Sequence, residues 1–150
     1  MGKEGLALNE ASTLLNKHGG LIGISGESSD MREILSAVKD NNKRAIYAFE
    51  VFCYRIKKYL GSYAAAMGGL DAFIFTGGIG ENSPEVRKEV LAGMEFLGIE
   101  LDEGRNKNNE EKISKDSSKI TVLRIPTNEE LVIAMDTNEI VKDVIEKNPA

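Results

Sequence analysis

The stretch Phe73-Ile74-Phe75-Thr76-Gly77-Gly78-Ile79-Gly80-Glu81-Asn82-Ser83-Pro84 constrains this chain more than any other. Phe73, Ile74 and Phe75 read as the end of a buried strand. Gly77, Gly78 and Gly80 then predict a bend that almost any side chain would obstruct. Ser83 and Pro84 offer a helix N-cap and a first helical residue. A strand, a glycine turn and a helix N-terminus suit an anionic or nucleotide ligand, because backbone N–H groups approach closely and the dipole is positive there. The turn is neither a P-loop nor a Gly-x-Gly-x-x-Gly fingerprint. The same residues also read as a tight strand-to-helix connection with no ligand.

At 150 residues the chain can bury a real core. Its hydrophobic content of 41% and charged content of 29% are those of a globular protein. A net charge of −5, with no overriding Lys/Arg cluster, argues against a nucleic-acid surface. No apolar run reaches the ~20 residues that span a bilayer. The first residues, Met1 to Gly5, carry no signal-peptide apolar region, and Leu6 stands where a myristoylation motif needs Ser or Thr. Cys53 is the single cysteine, compatible with a reducing cytoplasm, and reads as a buried, inert thiol.

Taken in order, Asn9 to Lys17 predicts a short helix capped by Asn9, with Leu14 and Leu15 inward and Gly19-Gly20 as its stop. His18, the single histidine, reads as a surface residue of that last turn rather than a catalytic base. After the apolar segment 21–24, Asp30 and Glu33 stand at capping-box spacing before a helix. Capping leaves Arg32 unexplained, because a cation is disfavoured in a first turn; an arginine there can serve a phosphate or stack on a base. Ala45, Ala48, Phe49, Phe52, Ile56, Leu60 and Tyr63 recur at steps of three and four and predict a long packing helix over 42–67. Segment 70–75 is a strand, 84–94 a helix, 96–101 a short extended piece, and 102–116 a polar surface excursion. Segment 120–125 is a second strand, closed by Pro126. Thr127 and Glu130 cap a final helix to about Lys147, which leaves Glu129 free at the C-terminal end of a strand. A carboxylate there can hold Mg²⁺ directly or through water.

Helix, strand, helix, strand, helix predicts an α/β protein with parallel pairing, read as one domain over 1–150. Two strands make a poor parallel core, since such strands need cover on both faces and neighbours at both edges. The predicted sheet is therefore incomplete.

Three separated motifs agree with one family. Ser25-Gly26-Glu27-Ser28-Ser29-Asp30-Met31-Arg32, Phe75-Thr76-Gly77-Gly78-Ile79-Gly80-Glu81-Asn82-Ser83 and Ile125-Pro126-Thr127-Asn128-Glu129-Glu130-Leu131 resemble the C-terminal portion of the acetate kinase family. The resemblance runs from about Gly5 to Asp136. It implies a ribonuclease-H-like α/β domain of the acetate and sugar kinase, Hsp70 and actin superfamily, whose two halves close over ATP. It further implies that Asp30, Met31 and Arg32 contact the adenosine of ATP or ADP. Gly78, Ile79, Gly80, Glu81 and Asn82 form the loop along the nucleotide, and Glu129 is the Mg²⁺-site carboxylate. The family's catalytic arginines, aspartate, histidine and acetate pocket lie in its earlier part, which nothing here matches, so no catalytic residue is assigned. The implied activity is phosphoryl transfer from ATP to acetate, giving acetyl phosphate and ADP, by a cytoplasmic homodimer acting with an N-terminal half outside this sequence. By itself the polypeptide is expected to bind nucleotide weakly and not to phosphorylate acetate. The alternatives are a propionate kinase segment and a non-catalytic nucleotide-binding or dimerisation module.

Overall fold

The computed structural model describes Gly5 and residues 7–147, with side chains through Lys142; Met1 to Glu4 and Leu6, read above for leader motifs, lie outside the described residues. Helices α1 (Leu8–Lys17), α2 (Gly20–Ser25) and α3 (Met31–Lys39) precede the long α4 (Lys43–Met67). Strand β1 (Ala72–Phe75) leads into α5 (Gly77–Asn82), α6 (Pro84–Leu91), a 3-10 turn at Glu95–Leu97 and α7 (Glu103–Lys107). Strand β2 (Thr121–Arg124) then leads to α8 (Glu129–Lys147).

The long helix forms where its periodicity places it. The Asn42 side chain accepts the N–H groups of Arg44 and Ala45, and Gly68 ends the helix in the left-handed region at φ 75. Ala45, Ala48, Cys53, Leu60 and Ala64 are its buried face, whereas Tyr63, expected inward, is 60% exposed. Burial also pushes the Cys53 thiol up to about 12, helped by the nearby Glu89 carboxylate, which removes it as a nucleophile.

Strands β1 and β2 pair in parallel, Ala72 opposite Thr121 and Phe75 opposite Arg124. Side chains alternate across the sheet. Phe73 and Phe75 join the core with Val122, while Ile74 on the other face is exposed. Among the described residues the sheet has these two strands only, so the incomplete sheet expected from the sequence is what the structure contains.

Segment 21–24 lies within helix α2. Three local expectations are corrected. Helix α1 begins after Ala7, not at Asn9, and Leu14 and Leu15 are exposed rather than inward; among the described residues α1 has no buried residue. Residues 96–101 begin as a 3-10 turn rather than an extended piece. The excursion 102–116 is built into the core: Ile113 and Ser114 are fully buried and Asn106 nearly so. Its return limb lies along the outer edge of β2, where the Ile113 N–H donates to the Val122 carbonyl at 2.9 Å and the Arg124 N–H donates to that of Glu111 at 2.7 Å. A polar segment can be interior when its polar atoms are paired, which hydropathy alone does not register.

Candidate functional site

The serine-rich stretch before α3 is a succession of side-chain-capped turns. Ser25 Oγ accepts the N–H groups of Glu27 and Ser28, and Ser28 Oγ accepts that of Asp30. Asp30 is the N-cap of α3, its Oδ1 accepting the Arg32 N–H at 2.8 Å. The Arg32 side chain, 87% exposed, turns back so that its Nε lies 3.1 Å from Asp30 Oδ1. The hydrogen bond from that guanidinium, followed by the backbone one, holds the Asp30 carboxyl at about 2. A cation in a first turn is thus tolerated because the capping carboxylate neutralises it. Met31, between them, is 3% exposed and belongs to the core.

The glycine stretch is not an open turn. Thr76 is extended and Gly77 takes φ 70, which favours glycine. Residues 77–82 then form the six-residue helix α5. A side chain at Gly78 would meet nothing within 4 Å, so the expectation that nearly any side chain is obstructed fails there; the space it would fill is open cleft. Ser83 is buried and makes no side-chain cap bond, and the Gly77 N–H is taken by Thr127 Oγ1 at 3.0 Å. The side-chain cap expected from Ser83 is therefore not formed.

The exit of β2 is tied to α5 by one threonine. Thr127 Oγ1 accepts the Gly77 N–H, lies 2.9 Å from Thr76 Oγ1, and donates to Glu81 Oε1 at 2.7 Å. The same carboxylate oxygen accepts the Thr127 N–H at 2.7 Å. These bonds, the backbone one first, hold the Glu81 carboxyl below its ordinary 4.5. With Thr127 so engaged, the expected Thr127–Glu130 capping box does not form. Asn128 Oδ1 accepts the Leu131 N–H at 2.9 Å instead.

Two clefts meet at Gly78. One, of about 380 Å³, is lined by Asp30, Met31, Arg32, Gly78, Ile79, Asn82 and Ser83. The other, of about 440 Å³, is lined by Gly77, Gly78, Glu81 and Thr127 to Glu130, so it holds Glu129. Gly80 lines neither, and a Cβ added to it would lie 3.4 Å from the Phe75 carbonyl carbon. A larger cavity, about 520 Å³ between Lys88 and Lys115, contains none of these residues. Three motifs separated in sequence are thus brought to one ridge, with Glu81 turned to the Glu129 side.

The chain matches the model of the acetokinase family over residues 1–135. An acetate kinase of Treponema denticola is 56% identical over 144 residues, covering 95% of this chain and 36% of that protein. The chain belongs to the acetokinase family. It spans about a third of the length of the curated acetokinase relatives it matches. The crystal structure of Porphyromonas gingivalis acetate kinase superposes with a TM-score of 0.85 at 50% identity, over 92% of this chain and 35% of that one. A propionate kinase from Francisella tularensis gives 0.80 at 39% identity, over 87% and 33%. The fold is that of the acetokinases, the ribonuclease-H-like α/β class read from the three motifs.

Sequence reasoning missed Thr76, the tertiary role of Thr127, and Arg87. Thr76 carries no signal beyond polarity, and Thr127 signals only a helix cap. Arg87 did, for it shares the helical stripe of Val90, Leu91 and Met94, all buried. Arg87 itself is fully buried, and burial, then the nearby Arg124 charge, lowers its guanidinium pKa.

Proposed function

We propose that the clefts meeting at Gly78 bind ATP or ADP, as the nucleotide wall of an acetate kinase-type phosphotransferase. The observation that carries this reading is that both clefts share Gly78, where an added Cβ would meet nothing within 4 Å. Asp30, Met31 and Arg32 with Ile79 and Asn82 take the adenosine on one side. Glu81 enters through Thr127, holding the loop's first turn against the β2 exit rather than touching ligand. Gly80 serves in the loop backbone, where an added side chain would come against Phe75.

Glu129 supplies a hard oxygen on the other side. Mg²⁺ commonly keeps several waters and uses one or two protein carboxylates with substrate phosphates. Among the described residues no group of three acidic, His or Cys side chains could hold a metal by itself. A single Glu129 ligand completed by water and phosphate fits that donor set, and the ion would supply charge neutralisation between the phosphates.

The reaction is transfer of a phosphoryl group from ATP to a short-chain carboxylate, which needs in-line positioning and cations around the transferring group. Arg32 is held by Asp30, and Arg87 is buried, so neither is placed for that task. The polypeptide alone therefore binds nucleotide without making acetyl phosphate, and the whole reaction belongs to a cytoplasmic homodimeric kinase in which this segment works with catalytic residues outside it. Acetate is the acceptor favoured by the relatives; the propionate kinase neighbour keeps propionate as the second reading. Titration calorimetry with MgADP tests the binding step: saturable binding that weakens in Gly78→Val is expected, and no heat, or equal binding by the variant, would overturn it. A coupled assay detecting acetyl phosphate from the chain alone would overturn the division of labour.

A further inference from the structure

Arg87 sits on α6 with its side chain wholly inside the protein, yet none of its hydrogen bonds goes to a carboxylate. Its five N–H donors meet five oxygens. Nη1 donates to the carbonyls of Gly80 at 2.8 Å and Glu81 at 2.9 Å. Nε donates to Asn106 Oδ1 at 2.7 Å, and Nη2 to the Asn106 carbonyl at 2.8 Å and Asn109 Oδ1 at 2.6 Å. Asn106 in turn donates through Nδ2 to the Pro84 carbonyl at 3.0 Å. Asn109 presents its side chain from a left-handed backbone, φ 54, and its own carbonyl accepts from Arg124 at the end of β2.

One planar guanidinium thus joins the C-terminal half of α5 to the end of α7, and through Asn106 reaches the start of α6. The bonds to Gly80 and Glu81 engage carbonyls that so short a helix leaves without intrahelical donors. A lysine, with a compact ammonium and three donors, cannot match that fork.

We infer that Arg87 is the positioning residue of the α5 loop: it fixes the orientation of Gly78 to Asn82 from behind, using Asn106 and Asn109 of the polar excursion as its footing. The role in ligand binding rests on the nucleotide reading given above; the role in loop geometry does not. A loop held by side chains that are themselves locked loses less freedom on binding, and a small displacement of such a wall is costly to recognition.

The test compares Arg87→Lys and Asn109→Gly with Arg105→Lys. The glycine variant keeps the positive φ and removes one acceptor only, so it remains informative if Arg87→Lys fails to fold. Arg105 binds Asp116 and the Ser114 carbonyl on the far side of the same excursion, so its variant perturbs that segment without touching α5. Hydrogen exchange without ligand is read at residues 78–83, and MgADP affinity is read by calorimetry. Expected are faster exchange at 78–83 in Arg87→Lys and Asn109→Gly, with α4 unchanged, and at least about tenfold weaker MgADP binding. Arg105→Lys lowers the melting temperature and leaves both readouts as in the parent. Unchanged exchange at 78–83 in both loop variants, or an equal change in Arg105→Lys, overturns the inference. If the parent chain binds no MgADP, the nucleotide reading fails and the exchange data alone decide the role of Arg87.

Discussion

The short helix α5 is held from two sides, and the two anchors differ in kind. Behind it, Arg87 is fully buried and joins Gly80 and Glu81 to Asn106 through neutral oxygens. In front, Thr127 ties Thr76, Gly77 and Glu81 to the exit of β2 through exposed hydrogen bonds that include a titratable carboxylate. A buried guanidinium cannot be exchanged for water without leaving several acceptors unpaired. Exposed bonds exchange with solvent at small net cost. The loop therefore has a permanent back and a yielding front, and the yielding side carries Glu129.

The sharpest break of this contrast is Arg87→Met. It should cost at least about 3 kcal/mol in denaturant unfolding, since five oxygens lose their donors within the interior. Thr127→Val should cost only about 1 kcal/mol by the same measurement, because water replaces most of what is lost at an exposed site. Equal costs would erase the distinction.

Acid acts on the front anchor alone. The folded Glu81 carboxyl lies below its ordinary 4.5. A depressed carboxylate contributes stability that is fully present above the unfolded value and is lost as pH falls through the folded one. The melting-temperature gap between the parent and Glu81→Gln should therefore hold above pH 4.5 and close below it. A gap that persists in acid would show that the ionised carboxylate is not what Thr127 reads.

The smallest effect is expected at Arg32→Ala. Its ion pair with Asp30 is exposed, so the melting temperature should not move measurably. The Asp30 carboxyl should instead rise from about 2 toward 3.8 in an NMR titration.

Much of this architecture is legible in the residues. Asn42 and Gly68 mark the ends of α4 because capping and positive φ are local chemistry, and the apolar runs 70–75 and 120–125, closed by the glycine stretch and by Pro126, contain the strands formed at 72–75 and 121–124. The three motifs also named the ridge where Asp30, Gly78 and Glu129 converge. What escaped was interior polarity. Asn106 and Ser114 look like surface residues, and only the hydrogen bonds they accept from Arg87 and from the Val122 N–H make them core. Thr127 carried a capping signal that a tertiary partner overrode. Leu14 and Leu15 were assigned an inner face by periodicity, which counts apolar residues but not what lies against them.

Titration of the chain with MgADP, followed by amide shifts in two-dimensional NMR, tests the nucleotide wall most directly. Saturable shifts at Met31, Arg32, Gly78, Ile79 and Asn82, with smaller ones at Glu129, are predicted. Shifts confined to the larger cavity between Lys88 and Lys115, or none at saturating nucleotide, would contradict it.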